Sequence, residues 1–457
     1  MAKQEPSVEV APATSSSFFP CVSLAVHDPR TGLLEKHIIN RKHPLPHDVL
    51  IDIQYAGICH SDIHQARAEW PIDCIFPMVP GHEIAGVVEK VGKSVTKFKV
   101  GERVSVGCFV DSCRDCVSCH DGVEQYCMSR KKGKSEKFGA MFKLKNLATY
   151  NCCVGEEMAA EKGLPDTILY GGYSKKITVD ENYIMRIPDS LDFAKAAPLA
   201  CAGITTYSPL NHYGVLKAGK AFRVGIIGVG GLGAMAVKFC KAVENETWCI
   251  SSSERKKEYC LNELQADGFV VSSDKHEMQK LEHTFDFLLC TISADFEWSG
   301  YLNLLKPQAT ICLVGLPPNK CQIKPFDFVA RRIKIVGSLI GGIAETQEML
   351  DFCAKHNIAS DVEIIAPKEI NRAWMELTKN ANRKARFVID WTCEPVEGGD
   401  WETEKNKEHY NHVIHPDATL FGAPPPPPGT TQGGGGITAG PVRGGGGRTS
   451  RGGCFRL

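Results

Sequence analysis

Between residues 21 and 110 the apolar positions fall in short runs that alternate with polar ones or stay continuous, as in VLIDIQYAGI, EIAGVVEKVG and KVGERVSVGCFV, each bounded by Gly or Pro. Short β-branched runs at close intervals predict the strands of a small barrel. Beyond residue 220 the pattern changes. AFRVGIIGVGGLGAMAVKFCKAV reads as a buried strand, a glycine turn and a helix. ETWCISSS is the next strand, and DFLLCTI, ATICLVGL and KIVGSLIGG are later buried ones. Strands that alternate with helical patterns predict a parallel, doubly wound sheet, so the fold class is α/β. Ser190 to Tyr213 reads as an Ala-rich helical stretch, ETQEMLDFCAKHN as an amphipathic helix and RFVIDW as a last strand.

Three stretches break these periods. Residues 1–19 are Ser/Pro/Ala-rich and predict a flexible arm. Residues 128–170 set a basic run against an acidic one and read as a surface loop or insertion. Residues 395–457 hold GAPPPPPGTTQGGGG and similar runs, too poor in apolar side chains to bury a core, and predict a disordered tail.

Composition narrows the function class. Lys+Arg and Asp+Glu balance at 53 each, so no global charge favours a nucleic-acid or membrane partner. No apolar run approaches the roughly 20 residues that span a bilayer. The 20 cysteines of this large chain follow an opening, MAKQEPSVEV, that lacks the basic-then-apolar pattern of a signal peptide. A reducing, cytoplasmic location is expected, with Cys240, Cys290 and Cys312 as buried small hydrophobes.

Four of the cysteines carry chemistry. Cys113, Cys116, Cys119 and Cys127 stand in VDSCRDCVSCHDGVEQYC. Two-residue gaps let thiolates converge from a tight turn, and a longer arm closes a tetrahedron, as a structural zinc requires. A second set is incomplete: Cys59 in GICHSDIH and His82 in VPGHEIAG. With a distant third ligand they would leave zinc an exchangeable position. Cys201, in PLACAGIT, is the candidate because it precedes the nucleotide unit, although spacing alone does not select it. Zinc there would act as a Lewis acid on a substrate oxygen. Ser61 and His64, a hydroxyl and an imidazole just past Cys59, could pass a proton to water. His60 either contacts cofactor or fills space.

Gly228, Gly230, Gly231, Leu232 and Gly233 form GVGGLG between a strand and a helix, the context in which a glycine loop admits a pyrophosphate. The following strand ends not in Asp or Glu but in Ser251, Ser252 and Ser253, with Arg255, Lys256 and Lys257 behind them. Hydroxyls and cations suit a 2′-phosphate, so NADP(H) is the expected cofactor, with Glu254 the nearest opposing acid.

Together these segments resemble the zinc-dependent medium-chain alcohol dehydrogenases, in particular the cinnamyl alcohol dehydrogenase group and its NADP-dependent microbial relatives. The likeness is carried by AGICHSDIHQ, FPMVPGHEIAGVVEKVG, GVEQYC, YGGYSKKITVDE, AAPLACAGITTYSPL, GVGGLG, ISSSERKK and ETQEMLDFCAKHNI, and covers about residues 20–394. It implies a GroES-like catalytic domain over 20–200, a Rossmann domain over 201–340 and a return to the catalytic domain over 341–394. It implies two zincs per chain, with Cys201 the third catalytic ligand and Glu83 a carboxylate able to swap in. Asp62 would support the ligands from behind, Thr205 would fall near the nicotinamide, and Ser251, Ser252, Ser253 and Lys257 would hold the 2′-phosphate. It also implies a homodimer paired through the Rossmann sheets and a small alcohol or aldehyde substrate, taken in the direction of aldehyde reduction.

Three departures bear on specificity. Lys132 stands where plant members place a Trp, Glu69 precedes Trp70 where Asp is common, and the segment before Tyr170 is longer than usual. A polyol dehydrogenase of the same superfamily is an alternative reading. So is a tail that contacts RNA through Arg443, Arg448 and Arg451, or a partner through its proline run, but three arginines make nucleic acid an unexpected partner. The terminal CFRL has only the outline of a prenylation box.

Overall fold

The strand Asp48–Gly57 organises the first sheet. It pairs antiparallel with Ile84–Val91 along most of its length, with Lys176–Asp180 over its first half and with Arg386–Asp390 over its end. The sheet extends through Arg103–Val106 to Met185–Arg186 on one side and through Arg386–Asp390 to Val362–Ile365 on the other. Strands from both ends of the chain therefore close one core, in which Ile51, Ile53, Val104, Phe387 and Ile389 are fully buried. A hairpin, Phe18–Val26 with Leu34–Lys42, lays Leu24 and Val26 on the same core. The computed structural model describes residues 17–393 except 71, 73, 129–145, 155, 166, 218–220 and 380–383. Most of the expected N-terminal arm, Lys132 and the tail with its arginines lie outside the described residues.

The second sheet is wholly parallel. Its order is Gly268–Val271, Glu246–Ser251, Arg223–Ile227, Phe285–Cys290, Leu305–Leu313 and Lys334–Gly337. Successive residues of each inner strand face opposite layers: Ile226 and Leu289 enter one core, Ile227 and Leu288 the other. That double burial explains why these strands read as continuous apolar runs rather than alternating ones. Cys240, Cys290 and Cys312 are buried, as expected. The chain order reverses at Arg223–Ile227, which opens a crevice at the strand's carboxyl end, where GVGGLG sits.

Of the two readings of the stretch 128–170, surface loop or insertion, the structured insertion is the nearer. In its described part Cys152–Cys153 pairs with Ile168–Leu169, Leu147–Ala148 pairs with Phe109–Asp111 outside the stretch, and Glu156–Glu161 is a helix, with Leu147, Val154 and Met158 in a small core of their own. Isolated apolar residues between charged runs carry too little periodicity to reveal such a core in advance.

Candidate active site

The helix His60–Ala66 begins at Cys59 and turns its buried edge inward. Asp62, wholly buried, ties this start together: one carboxylate oxygen accepts the Cys59 amide at 3.0 Å and the Tyr173 hydroxyl at 3.0 Å. The other accepts the Gly81 amide at 3.1 Å and meets His82 Nδ1 at 3.0 Å. The Nδ1 contact leaves His82 Nε2 to face the Cys201 thiol, 3.2 Å away. Cys201 stands at the start of the helix Ala202–His212. Donor atoms of Cys59, His82, Glu83 and Cys201 all lie within 4.8 Å of one another, and all four residues are buried.

Burial alone would depress the His82 imidazole, but the charge and hydrogen bond of Asp62 together with the neighbouring Cys108 and Cys59 sulfurs hold the group well above its ordinary value. Cys59 is held low by its hydrogen bond with Cys201 and by His82, whereas Cys201 is pushed up by hydrogen bonds with Cys108 and Cys59 and by burial. A metal bound by these groups would require Cys201 and His82 Nε2 to give up their protons, so binding would be coupled to proton release. Burial raises the Glu83 carboxyl to about 8 against the pull of Arg386. Glu83 Oε1 meets Arg386 Nη2 at 2.6 Å, while Glu83 Oε2 is buried with no hydrogen-bond partner.

The expected proton path lies along the same short helix. His64 Nδ1 is 2.6 Å from Glu69 Oε2, and its ring stacks on Trp70 at 5.3 Å. Glu69 thus makes the carboxylate contact despite its extra methylene. Ser61 is half-buried one residue before Asp62. His60 Nε2 reaches the Leu377 carbonyl at 3.3 Å.

The cysteine lobe is closed on itself. Cys113 and Cys119 sulfurs are 3.8 Å apart, Cys116 and Cys119 3.6 Å, Cys116 and Cys127 3.9 Å. Zn–S bonds of about 2.3 Å in a tetrahedron require edges of about 3.8 Å. Backbone amides of Asp115 and Cys113 point at the Cys113 and Cys127 sulfurs, and the Ser112 hydroxyl lies 3.2 Å from Cys119.

In the nucleotide domain Gly228 has φ +85°, and a Cβ on Gly233 would stand 2.0 Å from the Gly228 carbonyl oxygen, so the turn admits only glycine at both. Leu232 is half-buried in the first turn of the helix Gly231–Ala242, whose N-terminus has no side-chain cap. Its first amides are the kind that a phosphate completes. Ser251, Ser252 and Ser253 follow directly at the end of the neighbouring strand. Lys257 pairs with Glu254 at 3.4 Å on an exposed face, whereas Lys256 turns inward and donates to the Val229 carbonyl at 2.6 Å. Thr205 is buried one turn beyond Cys201, its amide bonded to the Cys201 carbonyl.

Four site residues escaped the sequence reading. Arg386 comes from the last strand and lies against both Glu83 and Gly231. Tyr150 stacks on His82 at 5.9 Å and accepts from Gln65 at 2.8 Å. Tyr173 holds Asp62, and Cys108 hydrogen-bonds Cys201. A basic residue next to an apolar strand was the only available signal for Arg386; nothing local marked the other three.

A strand-built domain bearing two donor clusters, joined to a parallel sheet with a glycine loop, has the architecture of a medium-chain dehydrogenase. Residues 45–189 match the family model for the alcohol dehydrogenase GroES-like domain, and residues 231–355 that for zinc-binding dehydrogenase. NADP-dependent alcohol dehydrogenase C 1 of Mycolicibacterium smegmatis is 47% identical over 79% of this chain and 95% of its own length. Probable cinnamyl alcohol dehydrogenase 3 of Oryza sativa is 42% identical over 81% and 93%. Among solved structures, a cinnamyl alcohol dehydrogenase from Sorghum bicolor superposes with a TM-score of 0.74 at 35% identity, covering 83% of this chain and 100% of that one. One from Helicobacter pylori, complexed with NADP(H), gives 0.70 at 40% identity, covering 82% and 98%. The chain belongs to the zinc-binding alcohol dehydrogenase family and is an oxidoreductase that interconverts alcohols and aldehydes.

Proposed function

We propose that the chain reduces aldehydes to primary alcohols with NADPH, using one catalytic and one structural zinc. The observation that carries this reading is the convergence of Cys59, His82, Cys201 and Glu83, a zinc donor set with an orphaned carboxylate oxygen, in the domain joined to the glycine loop. Two thiols, an imidazole and a carboxylate fit zinc with an exchangeable position, and the four-thiol lobe fits a closed structural site. When bound, the catalytic metal supplies Lewis acidity and the nicotinamide supplies the hydride.

The chain's own residues do the rest. Asp62 holds His82 in the tautomer that turns Nε2 toward the ligand cluster. Ser61 and His64, with Glu69 behind the imidazole, bring the proton that the product alcohol needs. Arg386 offers its charge between Glu83 and the glycine loop, beside the place for a pyrophosphate. Ser251, Ser252, Ser253 and Lys256 offer hydroxyls and a cation to a 2′-phosphate, with Lys257 behind on the outer face. Thr205 lies where the nicotinamide would approach Cys201. Over 20–200 and 341–394 the chain acts as the catalytic domain and over 201–340 as the cofactor domain. The thiols of both clusters suit a reducing compartment, the cytoplasm being the simplest.

A homodimer is supported by the edge strand Lys334–Gly337 and the adjoining Phe326 and Val329, which are 79% and 64% exposed. Light scattering on purified protein would read the mass directly. Among the described residues no helix is long and apolar enough to cross a membrane.

The experiment is NADPH oxidation by zinc-quantified protein against aldehydes from short aliphatic to cinnamyl. Turnover with NADPH at least tenfold preferred over NADH is expected. A tenfold preference for NADH, or full turnover by metal-free protein, would sink the reading.

A further inference from the structure

We propose that Glu124 and Tyr126 are positioning residues that carry the shape of the metal-filled cysteine lobe to the seam between the two domains and thereby set cofactor affinity. The proposal rests on the reading that the lobe holds zinc.

Both residues belong to the short turn Glu124–Tyr126, between lobe cysteines Cys119 and Cys127, and the Cys127 amide donates back to the Glu124 carbonyl at 3.0 Å. Their side chains leave the lobe. The Tyr126 hydroxyl accepts the Leu339 amide at 3.0 Å, and Glu124 Oε2 accepts the Ile343 amide at 3.2 Å. Ile343 opens the helix Ile343–His356, whose N-cap residue, Gly342, provides no side-chain cap. A carboxylate from the lobe thus satisfies one of the amides that a helix start leaves unpaired. Contact between the two backbones is equally close, since a Cβ on Gly342 would lie 1.9 Å from the Gly122 carbonyl oxygen.

Between the two tethers the chain is strained. Ile340 has φ +40°, a conformation that a β-branched residue adopts only when its surroundings impose it. Ile340 and Ile343 pack against the catalytic-domain core and the nucleotide-domain core alike, so they stand in the seam itself. On the opposite side, Ile204 Cγ1 would be 2.5 Å from a Cβ on Gly341. Ile204 lies on the helix that begins at Cys201 and carries Thr205. Glu348, further along the tethered helix, accepts from Tyr207 on that same helix at 2.9 Å. The lobe therefore braces a segment that leans directly on the helix that presents Cys201 and Thr205.

Removing a tether lets Ile340 relax and the seam loosen without touching the donor atoms of the active site. The cost falls on holding the cofactor, which spans the two domains in the proposed reading, rather than on the chemical step.

The test uses full-length, metal-loaded protein with Tyr126→Phe, Glu124→Ala and Glu124→Gln. Tyr126→Phe and Glu124→Ala are expected to raise the NADPH Kd and KM by about threefold to tenfold, the worth of one backbone hydrogen bond. Turnover number should stay within about twofold and zinc per chain should be unchanged. Glu124→Gln keeps an acceptor oxygen and is expected to return toward the parent values. NADPH affinity unaltered in Tyr126→Phe and Glu124→Ala overturns the proposal, as does a loss of turnover in proportion to lost zinc, which would mean that the variants only damaged the lobe. Gln no better than Ala would remove Glu124 from the assigned role. A parent protein whose lobe takes no metal while its other site fills overturns the underlying zinc reading, whereas a filled lobe with unchanged affinity overturns this proposal alone.

Discussion

The two donor clusters reach their geometry by opposite routes. The lobe draws all four sulfurs from residues 113–127, and its sulfur–sulfur edges of 3.6 to 3.9 Å come from local turns and amides aimed at sulfur. The other cluster draws Cys59, His82 with Glu83, and Cys201 from three separate segments. It is held by what lies behind it: Asp62 alone receives Cys59, Gly81, His82 and Tyr173. A site closed by its own loop would leave a metal no coordination position to spare, which suits a role in the fold. A site assembled from distant elements can be shaped from behind, leaving a carboxylate oxygen unpartnered and a position open for chemistry.

Breaking each cluster should therefore have different consequences. Cys59→Ser removes a donor from the cluster proposed to hold the catalytic zinc. It is expected to cost several kcal/mol of transition-state stabilisation, on the order of a thousandfold in kcat, and to lower bound zinc from two per chain to one. Elemental analysis beside steady-state kinetics would check it, and retention of both zincs and full turnover would erase the distinction between the clusters. Cys116→Ser opens the lobe instead. Stability should fall by about 3 kcal/mol or more, a drop in Tm of at least about 6 °C by calorimetry, while kcat of the remaining folded enzyme changes little.

The support from behind can be probed separately. Asp62→Asn keeps the shape but removes the charge facing His82, and metal affinity should weaken by about 10- to 100-fold at the open site alone. Competition with a graded chelator would measure it, and equal loss from both sites would refute the assignment. The smallest effect sharpens the cofactor end. Lys256→Ala should raise NADPH KM by about tenfold, and Lys257→Ala by less than about threefold, because only Lys256 faces the loop. The contrast should shrink with NADH, which lacks the phosphate, and identical KM values for the two variants would return the role to both lysines.

What is legible in the amino-acid sequence follows the same division. The lobe was legible because its spacing encodes its own turn. The glycine loop was legible because strand, turn and helix are consecutive, and a positive φ at Gly228 is a local demand. Cys201 could be nominated but not selected from twenty cysteines by spacing, since its partners are tertiary neighbours. The resemblance nominates Lys257 in ISSSERKK, but the course of the short turn Glu254–Lys256 turns Lys256 inward to the Val229 carbonyl and leaves Lys257 on Glu254. Tyr150 belongs to a stretch read as a surface loop or insertion, yet its ring lies on His82 because it packs into the core of the strand-built domain and its hydroxyl accepts from Gln65.

The sequence by itself determined the elements and the chemistry available to them. Periodicity specified an α/β chain with a strand-built domain and a doubly wound sheet, and residue types specified cysteine clusters and a glycine loop. Those properties depend on neighbours a few residues apart, so they are written locally. Tertiary structure decided which groups face one another: Arg386 against Glu83, Tyr173 against Asp62, and the lobe against the seam at Ile340. Such contacts join residues far apart along the chain, and their geometry exists only once burial of the two domain cores brings the segments together.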